Sequence, residues 1–192
     1  NENCDLVLVS GGWSPVVNLL SHRGVRPLWD ADEACFLPGE TSEPLAVAGS
    51  AAGVWNTEAC TSSGEACGYL AAQALERNAT PVTAPAKGGW LTPIRPVYEV
   101  RVANRSLKSF VDPQHDVTAD DVRLAHREGY VSVEHLKRYT TLGMATDQGK
   151  MGNIIGIALM AEALGRDIPE VGTTTFRPPY TPVSIGALRG RS

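Results

Sequence analysis

The stretch SVEHLKRYTTLGMATDQGKMGN, residues 132–153, decides the architecture of the second half of the chain. Ser132 is a residue type that caps helices, and it predicts a helix from Val133 to about Tyr139. A short polar turn then leads to Gln148, where the pattern predicts the start of another helix that ends at Gly165. The loop between these helices contains no cysteine and no histidine. Its position before a predicted helix nevertheless predicts that it binds a group at the start of that helix.

The residues before this stretch predict one more helix. Thr118 is a good N-cap, and Asp121, three residues later, completes a short form of the capping box. Gly129 stands where a helix C-terminus is expected. The chain from Phe110 onwards therefore predicts a small all-α domain over residues 109–175. The helix that begins near Gln148 is expected to present an apolar face of Met151, Ile154, Ile155, Ala158, Leu159, Ala161 and Leu164.

Composition narrows the class of protein. The 192 residues are 43% hydrophobic and 20% charged, an ordinary balance for one or two globular domains. A net charge of −4 argues against nucleic acid or an anionic membrane as a partner, and no apolar run approaches the ~20 residues of a membrane span. Four cysteines without CxxC spacing argue against zinc and favour a cytoplasmic location. His115, His126 and His135 lack ligand spacing, so no metal site is predicted.

The first 82 residues predict an α/β arrangement. The apolar run Leu6–Val9 predicts a buried strand, and Val16–Leu20 predicts a short helix. A second buried strand is expected at Leu45–Ala48, followed by a glycine-containing turn and a long helix that reaches about Glu76. Because a chain rarely begins inside its sheet, we expect a piece of a longer protein.

The remaining segments predict connections. Residues 83–108 are rich in proline and glycine and predict a linker, in which Val97–Val102 alternates like an exposed strand. Residues 176–192 predict an extended, proline-stiffened tail that acts as a strap over a neighbouring domain.

Two quoted stretches carry a first resemblance. CDLVLVSGGWSP (residues 4–15) and LAVAGSAAGVWNTEACTSSGEACG (residues 45–68) resemble the closing part of the two-dinucleotide-binding flavoprotein reductase domain. The family's aspartate that meets the flavin ribityl chain is Ser50 here, which weakens the case for a flavin and leaves room for a nicotinamide dinucleotide; Ser50 alone does not separate NAD from FAD. The resemblance places NAD contacts on the strand-to-helix turn, with Thr57 donating to a phosphate or ribose oxygen and Trp55 equally suited to a plain core role. The expected NAD residues are Gly49, Ser50, Ala51, Gly53, Trp55 and Thr57.

Residues 110–153 carry a second resemblance. They are similar to the small helical domain that binds a 2Fe–2S cluster in bacterioferritin-associated ferredoxin and in opine-type oxidases. The four cysteine positions of that family fall on Asp112, Gln114, Asp147 and Gly152. Since such clusters need thiolate ligands, we expect no 2Fe–2S cluster here.

The wording KRYTTLGMATDQGK (residues 137–150) and TTTFRPPYTPVSIGALRGR (residues 173–191) resembles the family of alpha subunits of heterotetrameric sarcosine oxidases. The resemblance implies oxidative demethylation of sarcosine to glycine with oxygen and tetrahydrofolate. It implies NAD in the full subunit, FMN at the alpha–beta interface, FAD on the beta subunit and tetrahydrofolate in a further folate-binding domain. It also implies beta, gamma and delta subunits as partners.

The same resemblance places six residues near the FMN. They crowd one loop and two helix ends, and their alternative role is a solvated rim or a contact with the folate-binding domain. These residues are Lys137, Arg138, Thr140, Thr141, Gln148 and Lys150.

No catalytic residue falls on this chain, which we expect to be inactive alone. Two other classes stay open. One is a subunit of an opine-type or other amine dehydrogenase, against which the missing cysteines count. The other is a non-catalytic scaffold that spaces two cofactor domains. The expected overall fold class is α+β, an α/β remnant followed by the small all-α domain.

Overall fold

The computed structural model describes residues 3–6, 12–42, 44–83, 93–101, 107–178 and 180–190. Helices and short antiparallel strand pairs alternate along the described chain. The elements are α1 (Asn18–His22), β1 (Leu28–Asp30), β2 (Cys35–Leu37), a 3-10 turn (Gly49–Ala52), α2 (Thr57–Ala74), β3 (Phe110–Asp112), β4 (Val117–Thr118), α3 (Ala119–Arg127), α4 (Val133–Thr140), α5 (Asn153–Leu164), α6 (Ile168–Val171) and α7 (Ile185–Leu188).

The first hairpin pairs β1 with β2, so that Trp29 lies opposite Phe36. Their rings meet edge to face at 4.9 Å between centroids, a favourable aromatic geometry. The Asp30 carboxylate closes the connecting turn by accepting hydrogen bonds from the backbone N–H groups of Asp32 and Glu33.

Helix α3 begins as the sequence predicts. Thr118 accepts a hydrogen bond from the Asp121 N–H, and the Asp121 carboxylate accepts one from the Thr118 N–H, which completes the capping box. Gly129, with φ 92°, follows the helix end and confirms the predicted stop. Helix α4 begins after Ser132 as expected, although the Ser132 side chain makes no capping hydrogen bond.

The core lies among α3, α4 and α5. Val122 of α3 and Met160 of α5 are fully buried, and Leu136 of α4 is 1% exposed. Phe36 of β2 belongs to the same hydrophobic cluster, and Trp29 packs against it. The first hairpin therefore shares its core with helices that the sequence pattern assigned to a separate domain.

Three predicted strands have different outcomes. Leu6 is exposed and irregular, and the rest of the run Leu6–Val9 lies outside the described residues. The prediction of a buried strand at Leu45–Ala48 was wrong, because this segment is irregular and Leu45 is 42% exposed. The prediction at Val97–Val102 was also wrong over its described residues 97–101, which are irregular and held by side-chain ion pairs instead.

The helical predictions needed smaller corrections. Helix α1 begins at Asn18, two residues later than the pattern indicated. Helix α5 begins at Asn153 and not near Gln148, because Gln148 and Gly149 have φ of 53° and 75°, which no α-helix accommodates. Met151 consequently lies before the helix and is 74% exposed.

Two broader predictions also changed. The region 109–175 is not all-α, since it opens with the hairpin of β3 and β4; the described chain as a whole is a mixed structure of helices and small sheets. The tail contacts its own chain: Lys150 donates a 2.8 Å hydrogen bond to the Tyr180 carbonyl. It ends in α7 and so is not extended throughout. Among the described helices, none combines the length and the hydropathy needed to cross a membrane.

Candidate functional site

The turn before α2 is the first candidate site. Gly49 to Ala52 form one 3-10 turn, and Gly53 ends it with φ 80°, a conformation that favours glycine. A Cβ added at Gly53 would lie 2.5 Å from Leu37 Cδ2, so a larger residue there would also displace the end of the Leu37 side chain. The two glycines at Gly49 and Gly53 therefore have conformational roles in the turn itself.

The polar side chains of this turn differ in what they contact. The Asn56 side chain caps α2 by accepting a 2.7 Å hydrogen bond from the Ala59 N–H. The Trp55 indole N–H donates to the buried Glu33 carboxylate, so the half-buried Trp55 ties the turn to the first hairpin. Ser50 and Thr57 are exposed. Of the predicted NAD residues, these two present hydroxyl groups to the outside of the turn.

An open cleft of about 620 Å³ lies beside the 3-10 turn, within the usual size range of small-molecule sites. Ala52 forms one wall, and Leu37 and Val47 contribute apolar surface. The remaining lining residues are Leu20, Pro38, Gly39, Glu40, Thr41 and Leu45. The sequence pattern did not indicate this cleft, because its walls come from segments as far apart as Leu20 and Ala52.

The loop between α4 and α5 is the second candidate site. The Asp112 carboxylate, 3% exposed, accepts hydrogen bonds from the N–H groups of Gln114 and His115 in its own hairpin and a 3.0 Å hydrogen bond from the Gly143 N–H across the loop. The side-chain amide oxygen of Gln114 accepts a 3.0 Å hydrogen bond from the Thr146 hydroxyl. These bonds join the β3–β4 hairpin directly to the loop.

The other two positions where the resembling ferredoxin-type family has cysteines are also used within the fold. The Asp147 carboxylate accepts from the N–H groups of Gly149 and Met151. A Cβ added at Gly152 would lie 2.5 Å from the Val111 carbonyl oxygen, so a cysteine side chain does not fit there. The residues present therefore do not suit a 2Fe–2S cluster. None of the four positions is a cysteine, and at Gly152 the Val111 carbonyl occupies the space that a cysteine side chain would need. Among the described residues no trio of His, Cys, Asp or Glu is placed to hold a metal ion.

Asn153, the first residue of α5, packs against this loop. It is 5% exposed, and its side-chain amide donates a 3.0 Å hydrogen bond to the Thr174 hydroxyl. A Cβ at Gly143 or at Gly149 would clash with the Asn153 side chain, which explains why both positions are glycine. The role of Asn153 was missed from the sequence, because nothing in its spacing shows which distant residue it contacts.

The six residues predicted to lie near FMN are split between two positions in the fold. Lys137, Arg138, Thr140 and Thr141 lie at the end of α4, whereas Gln148 and Lys150 lie in the following loop. Most of them already have internal hydrogen-bond acceptors. The acceptors are the Glu134 carbonyl for Arg138, the Leu136 carbonyl for Thr140, the Thr140 carbonyl for Thr141, the Ala145 carbonyl for Gln148 and the Tyr180 carbonyl for Lys150.

Lys137 differs from the other five. It is half-buried, and within the described part of the chain no acceptor lies at hydrogen-bonding distance from its ammonium group. Burial lowers the pKa of Lys137, Glu134 opposes that shift, and the nearby positive charges of Arg177 and Arg138 add to it. A half-buried cation beside two other cations is a position that would be stabilised by an anion.

This chain is similar to a solved structure in its fold and to a family model in its sequence. The fold is similar to that of L-proline dehydrogenase from P. horikoshii, with a TM-score of 0.65 and 17% sequence identity over 91% of this chain and 37% of that one. Residues 106–191 match the family model described as Sarcosine oxidase A3 domain.

Two relatives extend the match to nearly the whole chain. Sarcosine oxidase subunit alpha from Rhizobium meliloti (strain 1021) is 44% identical over 97% of this chain and 19% of its own length. The same subunit from Corynebacterium sp. (strain P-1) is 40% identical over 98% of this chain and 20% of its own length. The chain is therefore similar to sarcosine oxidase alpha subunits along nearly all of its length, and it spans about a fifth of the length of these relatives.

Proposed function

We propose that this chain forms part of the alpha subunit of a heterotetrameric sarcosine oxidase, which demethylates sarcosine to glycine with oxygen and tetrahydrofolate. The observation that carries the proposal is the 44% identity with a sarcosine oxidase subunit alpha along 97% of the chain. Because the chain spans a fifth of that relative, the activity is proposed for the complete enzyme assembled with beta, gamma and delta subunits.

We also propose the organisation of this segment. Residues 1–82 form the end of a dinucleotide-binding domain, residues 83–108 a linker, residues 109–175 the helical domain and residues 176–192 the connection to a folate-binding domain. The match of the Sarcosine oxidase A3 domain to residues 106–191 supports a boundary near the end of the linker.

The turn at Gly49–Thr57 is proposed to contact NAD in the full subunit. The support is local: Ser50 and Thr57 are exposed at this turn, and its Ala52 lines the cleft of about 620 Å³, which none of the six predicted NAD residues lines. Thr57 at the first position of α2 would donate a hydrogen bond to a phosphate or ribose oxygen, and the start of the helix favours negative charge.

The end of α4 is proposed to face the phosphate of FMN at the contact with the beta subunit, while FAD is held by the beta subunit itself. Lys137 supports this proposal, because its ammonium group is half-buried and has no hydrogen-bond acceptor among the described residues. Charge-assisted hydrogen bonds to phosphate are among the strong ones, so a single such lysine orients a phosphate effectively.

The NAD proposal is tested in the full-length subunit with Thr57→Val. We expect the NAD dissociation constant to rise by about fivefold, since a neutral hydrogen bond contributes ~0.5–1.5 kcal/mol. Calorimetric titration measures this change. Thr61→Val is the matched control, one helical turn later, because the Thr61 hydroxyl donates to the Thr57 carbonyl within α2. Equal affinity of Thr57→Val and the parent protein would remove Thr57 from the proposed site.

The proposed reaction has its own test. The complete complex, assembled from full-length subunits, is assayed for sarcosine-dependent formation of glycine and consumption of oxygen, with and without tetrahydrofolate. A complex that assembles with its flavins but does not oxidise sarcosine would contradict the proposed substrate. The sequence similarity to sarcosine oxidase alpha subunits would be unaffected.

A non-catalytic scaffold is the second candidate function for the helical region. The observation in its favour is that Asp112, Gln114, Asp147 and Gly152 all serve contacts within the fold. In that case substitution of Lys137 would leave flavin content and turnover of the complex unchanged.

A further inference from the structure

The cleft beside the 3-10 turn is not explained by the proposed NAD contacts, since none of those residues lines it. Its volume of about 620 Å³ lies within the usual range for sites that take a small molecule. Most of its described lining is apolar, and Leu20 of α1, at 4% exposure, is the most deeply buried of these side chains. The cleft is therefore a candidate site in its own right.

The walls of this cleft come from segments that pack on one another. A Cβ added at Gly39 would collide with the Arg26 carbonyl oxygen, so the chain after β2 lies directly on the chain before β1. Leu37, at the end of β2, lies against Gly53 at the end of the 3-10 turn. The apolar walls are thus formed before a ligand arrives, which limits the conformational entropy that binding costs.

The charge in this cleft has one sign. Glu40 is the one charged side chain among the described lining residues, and Thr41 adds a hydroxyl. The Glu40 carboxylate is exposed and makes no ion pair or hydrogen bond with any described residue. An apolar cleft that carries an unpaired carboxylate attracts cations and repels phosphates and carboxylates.

This combination of surfaces selects the chemical class of the ligand. An apolar body would be covered by Leu37, Leu45 and Val47, which removes apolar surface from water. A protonated amine on the same molecule would remain near Glu40, where a charge-assisted hydrogen bond is available. A phosphate or carboxylate would instead meet the Glu40 carboxylate, and the described lining has no basic side chain to offset the repulsion.

We propose that the cleft binds a small organic cation, with an apolar body and a protonated amine, and that Glu40 selects for the positive charge. The proposal goes beyond the proposed function and does not depend on it, because Glu40 and Leu45 belong to neither the NAD site nor the flavin-phosphate site.

The experiment compares three probes that share one apolar body and differ at the end: phenylbutylammonium, phenylbutanol and phenylbutanoate. Binding to the full-length subunit at neutral pH is measured by saturation-transfer NMR titration, which observes the ligand and so suits a large protein. The ammonium probe is expected to bind about threefold more tightly than the alcohol, as for an exposed ion pair. The carboxylate probe is expected to bind more weakly than the alcohol.

Two variants separate the charge from the apolar wall. Glu40→Gln is expected to make the affinities of the ammonium and alcohol probes equal, and Leu45→Gln to weaken both by about threefold. Because both residues are exposed, neither change is expected to affect folding. Leu70→Gln on α2, an exposed leucine outside the cleft lining, is the matched control and should leave all three affinities unchanged.

Three results would overturn the proposal. Equal binding of the ammonium and carboxylate probes would show that Glu40 does not select the charge. An ammonium affinity that Leu45→Gln leaves unchanged would show that the probe binds outside the cleft. No binding of the ammonium probe to the full-length subunit would indicate that another part of the subunit fills the cleft.

Discussion

Helix α2 and the three-helix core of α3, α4 and α5 differ in how they are stabilised. Only Ala59 and Ala66 are buried along the 18 residues of α2 within the described chain, and Leu70 is 57% exposed. By contrast, α5 buries seven of its 12 residues. The comparison teaches that a helix with a side-chain cap can have little packing of its own, whereas α5, which has no side-chain cap, is stabilised chiefly by burial.

The largest expected effect tests this comparison directly. Leu136→Ala, in α4 at 1% exposure, is expected to lower the free energy of unfolding by about 3 kcal/mol through lost burial and a cavity. Leu70→Ala, the same change on α2, is expected to change it by less than about 0.5 kcal/mol. Urea unfolding of both variants measures the difference. Similar losses in the two variants would show that α2 is packed as tightly as the core.

The next effect concerns the hydrogen bonds between the β3–β4 hairpin and the loop that connects α4 to α5. Asp112→Ala removes the acceptor of three backbone N–H groups and is expected to cost about 2 kcal/mol of stability. Asp112→Asn keeps one acceptor oxygen and is expected to cost less. Glu128→Ala, an exposed carboxylate at the end of α3, is the control. Thermal unfolding with all three variants measures the order, and an unchanged stability in Asp112→Ala would mean that the junction contributes nothing.

A smaller effect is expected at the start of α3. Thr118→Ala removes the capping hydroxyl and is expected to cost about 1 kcal/mol. Thr118→Ser keeps the hydroxyl and should restore most of the loss. Both are measured by the shift of the unfolding midpoint, and equal midpoints for alanine and serine would show that the cap does not contribute.

The smallest effect concerns the segment 93–101, which ion pairs attach to the core. Burial alone would raise the pKa of Glu99, but the hydrogen bonds from Arg101 and Arg123 outweigh it and hold that pKa below its usual value. A lowered carboxylate pKa gives stability above the unfolded pKa of about 4.3, and this stability is lost as the pH falls through the folded value.

We therefore expect Arg123→Gln to cost about 0.5 kcal/mol at pH 7 and to flatten the loss of stability as the pH falls below about 4.3. Urea unfolding at neutral and at acidic pH measures the difference. A variant with the same acid dependence as the parent protein would show that Glu99 does not attach this segment to the core.

Particular residues show how far the sequence could predict this fold. Thr118, Asp121 and Gly129 predicted the limits of α3 correctly, because capping depends on residues within one helical turn. The strand predictions depended on pairing partners that a local pattern does not name. Leu45–Ala48 has no strand partner among the described residues and is irregular. At the candidate sites, residue type indicated Thr57 and Lys137, but the hydrogen bond across the fold from Trp55 to Glu33 was not foreseeable.

The sequence by itself determined the similarity to sarcosine oxidase alpha subunits, the helices within residues 119–164 and the absence of cysteine at Asp112, Gln114, Asp147 and Gly152, because each depends on residue identity or on neighbours within a few positions. Only the tertiary structure decided what the loop between α4 and α5 holds. Asp112 and Asn153 fill it from within, through hydrogen bonds to Gly143 and Thr174. Such bonds join groups 21 to 31 residues apart, and chain geometry, not local preference, brings them together.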